Sequence, residues 1–117
     1  MIIAIIDMSA ATRKRTEVFQ ALATVALMVR REKGCLRCQF CQDSEDDTAL
    51  SLIEEWRSRK ELDEHLQSQV FTILLGLVAL LKEPLEIRIC TVASDEGMET
   101  VKRARGHASA ASPNARG

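Results

Sequence analysis

Cys35-Leu36-Arg37-Cys38-Gln39-Phe40-Cys41-Gln42, followed by Asp43-Ser44-Glu45-Asp46-Asp47 and then Ala49-Leu50-Ser51-Leu52-Ile53-Glu54-Glu55-Trp56-Arg57, is the stretch that decides the fold. In its first segment Leu36, Cys38 and Phe40 alternate with Arg37, Gln39 and Cys41, the two-residue period of a half-buried strand. The acidic segment cannot bury itself and reads as a turn. The third segment resumes as a strand, so the whole predicts an antiparallel hairpin. Within it Leu50, Leu52, Glu54 and Trp56 share one face, because side chains alternate along a strand.

Upstream, Ile2 to Met8 is short and β-branched, and Ser9-Ala10-Ala11-Thr12 supplies capping side chains, which predicts a strand leading into a helix. Val18, Leu22, Val25 and Val29 recur at helical spacing, with Phe19 and Ala26 widening the stripe and Gly34 offering a left-handed C-terminal cap. Downstream, Ser58-Arg59-Lys60-Glu61 has the spacing of a capping box, in which hydroxyl and carboxylate each satisfy a free N–H. The helix stripe is Leu62, Leu66, Val70, Ile73, Leu77 and Leu80, with Ser68 capping a fresh segment after a kink and Pro84 ending the run. Leu85, Ile87 and Ile89 then alternate with Glu86, Arg88 and Cys90 as a last strand. The order strand, helix, strand, strand, helix, strand predicts a ferredoxin-like α+β domain over residues 1–94. A short helix is expected over 95–106, and the Ala-, Ser- and Gly-rich segment 107–117 is expected to be disordered.

With 117 residues, 46% hydrophobic and 28% charged, the chain has the balance of one globular domain. A net charge of -1 argues against a nucleic-acid partner, and Arg13-Lys14-Arg15, Arg30-Arg31 and Lys102-Arg103 read as solvated surface. Met1 to Ile6 lacks the basic start of a signal peptide, and the longest apolar run, Val70 to Leu81, falls short of the roughly 20 residues that span a bilayer. A cytoplasmic protein without membrane contact is expected. A chain this small leaves apolar surface uncovered, and Leu85, Ile87 and Ile89 are expected on the sheet face away from the helices, so a homodimer is predicted.

At Gly34-Cys35, Glu54-Glu55-Trp56, Glu61-Leu62-Asp63-Glu64-His65 and Val70-Phe71 the sequence resembles the antibiotic biosynthesis monooxygenase family, over roughly Met1 to Ala93. The similar pattern there is a glycine, often with cysteine, opening the second strand, an E-x-W ending the third and a histidine on the following helix. The resemblance implies a dimeric α+β barrel, a pocket in each subunit between sheet and helices, and oxygenation of phenols, anthrones or quinols without metal or flavin. Similar folds degrade haem or hold small molecules without turning them over, and fold does not choose among these.

On that resemblance Trp56, the one tryptophan in a chain without tyrosine, faces the pocket and stacks on a flat aromatic substrate. Glu54, Leu52, Phe71 and Met28 would shape the same substrate site. His65, at the edge of its helix stripe, could take a proton from a phenol or quinol as a neutral imidazole. It is also the candidate axial ligand should haem bind. Asp7, the third catalytic candidate, ends the first strand on the face of Ile3 and Ile5, in a strand similar to the one where haem-degrading relatives carry an asparagine; a carboxylate there disfavours the haem reading. The plain alternatives are a core tryptophan, a contact histidine and a turn-capping aspartate.

Cys35, Cys38 and Cys41 spell C-x-x-C-x-x-C, but strand alternation puts Cys35 and Cys41 on one face and Cys38 on the other, so three thiolates cannot meet one ion. Neither metal nor cofactor is expected. The function so read is a cofactor-free monooxygenase of a small aromatic molecule, with a non-catalytic binding module or a haem protein as alternatives.

Overall fold

The structure is a computed structural model that describes residues 1–111. Four strands, β1 (Ile2–Ser9), β2 (Cys35–Gln42), β3 (Ala49–Trp56) and β4 (Glu86–Thr91), form one antiparallel sheet in the order β2-β3-β1-β4. Helix α1 (Arg15–Val29) follows a short 3-10 turn, α2 (Arg59–Leu66) and α3 (Gln69–Gly76) follow β3, and α4 (Met98–Ala111) ends the described chain. This is the predicted ferredoxin-like α+β fold. The tail expected to be disordered begins beyond a non-helical residue in α4, Gly106, and its residues 112–117 lie outside the described residues.

The strands alternate cleanly because one face is covered by helices. Ile2, Ala4, Ile6 and Met8 of β1 and Leu50, Leu52, Glu54 and Trp56 of β3 are buried, while their neighbours are half-exposed. Val18, Leu22, Val25, Ala26 and Val29 of α1 pack onto this face as the spacing predicts. Phe19 meets Phe40 of β2 edge-on at 4.8 Å. Burying such side chains contributes roughly 1.5–3 kcal/mol each, which fixes the sheet register.

Four local readings change. First, β2 carries an irregularity of the bulge kind at Leu36: Cys35 pairs with Trp56 and Arg37 with Glu55, so one residue is left over. Cys35 therefore joins Cys38 on the helix side, and Cys41 alone faces away. Second, Ile87 and Ile89 pair with Ile6 and Ala4 and lie on the helix side of an edge strand that no helix covers. The opposite face carries Ile3, Ile5 and Ile53 instead, with Ile5 directly across from Ile53. Third, the Ser68 hydroxyl caps α3 by accepting from the Phe71 N–H, and this fresh start resets the helical phase. Phe71 and Leu74 are buried, and Ile73 points to solvent.

Fourth, the capping box at α2 is only half formed. The Ser58 hydroxyl accepts from the Glu61 N–H, but the Glu61 carboxylate receives Arg57 and the Ser58 hydroxyl rather than the backbone. Gly34 does not cap α1, whose C-cap is Arg30. It holds φ +86, and a Cβ there would collide with the Glu61 side chain, so the residue is glycine for both conformation and space. Among the described residues no helix is long and apolar enough to cross a membrane.

Candidate active site

The β3 register brings Glu54 and Trp56 to the same buried side two residues apart, and the Trp56 Nε1–H donates to Glu54 Oε1 at 3.0 Å. From α2, one turn after Glu61, His65 lies against the indole, with ring centroids 4.6 Å apart at 26°. Phe71 closes the stack edge-on at 5.5 Å from the imidazole. All this is out of water: Trp56 and Glu54 are 0% and His65 1% exposed. Of the residues expected at the site, the fold brings Trp56, Glu54, His65 and Phe71 together, with Leu52 buried on the same face of β3.

A carboxylate that sequence reasoning missed completes the cluster. Glu32, in the turn after α1, places its oxygens 2.9 and 3.1 Å from His65 Nδ1. On the other side of the ring Glu54 Oε1 lies 3.3 Å from Nε2, a charge contact without the alignment of a hydrogen bond. Among the described residues His65 Nε2 and Glu54 Oε2 are left with no hydrogen-bond partner, although both are buried. Unmade hydrogen bonds of this kind cost about 1–3 kcal/mol each, and both of these atoms lie in the cluster around the Trp56 indole.

The electrostatics favour the charged form of the histidine over the neutral imidazole expected of a base. Burial works against the charged ring, but Glu54 and then Glu32 outweigh it and hold the His65 pKa above its ordinary 6.5. An imidazolium can donate a proton and stabilise an anion, but it cannot accept a proton. Of the two carboxylates beside the ring, Glu54 is the one that also holds the indole, and its Oε2 has no hydrogen-bond partner among the described residues.

Two of the expected residues are not brought here. Asp7 lies on the opposite sheet face and accepts from the Ser51 hydroxyl at 2.6 Å, because odd positions of β1 point away from the helices. Met28 is half-buried on α1 and outside the buried core. The residues do not fit haem: both nitrogens of His65 face carboxylates, and Asp7 is on the wrong side of the sheet. Among the described residues no three His, Cys, Asp or Glu side chains converge as a metal site.

The surface has a cleft of about 430 Å³ lined by Asp7, Cys41, Asp43, Glu83 and Glu86, but it sits at the end of the strands away from Trp56. A second depression, about 290 Å³, lies over Arg30, Cys35 and Cys38. Cys35 and Cys38 are the cross-strand partners of Trp56 and Glu54, so this depression is one side-chain layer from the buried cluster. Burial first, and then the charge of Glu54, push the Cys38 thiol up to about 12 and raise Cys35 as well.

The fold and this enclosed aromatic, imidazole and carboxylate cluster define a small ferredoxin-like domain with its candidate chemistry between sheet and helices. The chain belongs to the antibiotic biosynthesis monooxygenase family, whose sequence model matches residues 1–72. Among solved structures it is similar to a Nitrosomonas europaea protein provisionally described by that family name, at 24% identity and a TM-score of 0.74, covering 80% of this chain and 100% of the other. A Deinococcus radiodurans protein, likewise provisionally described, has 22% identity and a TM-score of 0.77, covering 83% and 97%. A Pseudomonas aeruginosa protein has 26% identity and a TM-score of 0.72, covering 80% and 94%. No curated protein is similar enough to count as a match.

Proposed function

We propose that the chain is a monooxygenase that oxidises a small electron-rich phenol or quinol with O2, working as a homodimer. One observation carries this reading: a buried proton acceptor, Glu54 Oε2, and a buried proton donor, His65 Nε2, stand side by side without partners against the indole of Trp56. The substrate ring reaches them from the depression over Cys35 and Cys38 and stacks on the aromatic cluster. Glu54 takes the hydroxyl proton, and the O–H electron pair moves into the ring. A ring carbon then bonds to O2, giving a peroxide anion beside the imidazolium, which protonates it. Water leaves as the O–O and the neighbouring C–H bonds break and a carbonyl forms. The substrate supplies all four electrons, one oxygen atom enters the product and the other becomes water. Glu54 passes its proton to His65 and the site is reset.

Oxygen uptake by the purified protein over a panel of hydroquinones and polyphenols tests this. Glu54→Gln should lower turnover about 100-fold, and Trp56→Phe should chiefly raise KM. Unchanged turnover in Glu54→Gln removes the proposed base. Binding of the panel without uptake moves the protein to the non-catalytic binding module.

A further inference from the structure

We propose that Glu32 is the positioning residue of this site: it holds the Nδ1–H of His65, leaving Nε2 as the one nitrogen that meets a substrate. The inference deepens the oxygenase reading and rests on it for its catalytic meaning, but its geometry stands alone. Both Glu32 oxygens straddle Nδ1 at 2.9 and 3.1 Å, the arrangement that fixes a ring's orientation and tautomer. The chain is built to keep that contact. The turn after α1 is closed by the Glu32 N–H on the Val29 carbonyl at 3.0 Å and the Cys35 N–H on the Glu32 carbonyl at 3.1 Å. Gly34 in this turn lies against Glu61, which Arg57 holds from outside, and Glu61 is one turn before His65 on α2. The turn carrying Glu32 and the helix carrying His65 are thereby locked to each other through Gly34.

Glu32 is the solvent-facing partner of the ring, its side chain 20% exposed where that of His65 is 1%. The other groups that face this centre are Glu54 and Trp56 from β3 and Phe71 from α3. Glu54 in turn acts on the thiols of Cys35 and Cys38 on β2, with Arg30 beside them. Of these, Glu32 is the group that hydrogen-bonds Nδ1.

The test uses the single tryptophan as its reporter and needs no substrate. An imidazolium stacked on the indole quenches its emission more than a neutral ring does, so Trp56 fluorescence should rise as His65 deprotonates. Glu32→Gln keeps an acceptor for Nδ1–H but removes the charge, and should move the midpoint of that rise down by roughly one pH unit. His65→Gln should abolish the rise. With any quinol the wild type oxidises, the fall of kcat at high pH should move down by the same amount in Glu32→Gln, with KM little changed. An unmoved midpoint in Glu32→Gln protein with native circular dichroism overturns the proposal. Should that variant not fold, nitrogen-15 NMR of the wild type decides: a protonated Nδ1 and a titrating Nε2 support the role, and an unprotonated Nδ1 at neutral pH overturns it. Absence of oxygen uptake by the wild type defeats the oxygenase reading and leaves these titrations intact.

Discussion

His65 answers to two opposed demands, burial that disfavours its charge and two carboxylates that require it, and the second prevails. That balance makes stability depend on pH in a definite direction. Because the folded pKa is raised above 6.5, the contribution of His65 is fully present below that value and is lost as pH rises through the folded value. Urea midpoints taken from about pH 6 upward should fall in the wild type, and the fall should be smaller in His65→Gln. His65→Ala should cost about 3–5 kcal/mol in urea unfolding, because Glu54 and Glu32 would be left without a cation between them. The facing of Trp56 and Glu54 was legible from strand alternation, and His65 from its place on α2. Glu32 was not, since it lies 33 residues from His65 and only the closed turn at Gly34 brings them together.

Elements were legible where one period runs unbroken and were misread where it is interrupted. The stripe of α1 buries as its spacing requires, and the Ser68 cap was recognisable from the sequence. Its consequence for Ile73 was not, because a new cap rotates the helix by an amount the continuous pattern does not contain. The extra residue at Leu36 likewise shifts Cys35 to the other face without any mark in an alternating run. Pairing partners were also invisible along β4, whose Ile87 and Ile89 were assigned to the wrong side. At this scale the join between the Gly34 turn and α2 is the point of greatest sensitivity. Ser58→Ala should cost about 1 kcal/mol through loss of the α2 cap. Gly34→Ala should cost more, since φ is +86 and Glu61 occupies the space. Thermal unfolding of the two variants should show this ranking, and equal losses would mean that Glu61 yields freely.

Over the whole molecule, the helices cover one face of the sheet, and Ile3, Ile5 and Ile53 remain on the other. The proposed homodimer would close over these residues, in place of the Leu85, Ile87 and Ile89 surface expected from sequence. Ile53→Glu should therefore yield a folded monomer by analytical ultracentrifugation at micromolar concentration, where the wild type sediments as a dimer. A wild-type monomer removes the dimer, and a dimeric Ile53→Glu moves its interface elsewhere. The irregularity at Leu36 has one more effect once the interior is considered as a vessel for oxygen chemistry. It sets two sulfur atoms beside the place where a peroxide would form, and peroxides oxidise thiolates far faster than thiols. Burial and the adjacent carboxylate keep Cys35 and Cys38 from ionising. If the proposed oxygenation takes place there, the sulfur beside it is in its least oxidisable form, which would protect the protein from damage by the peroxide.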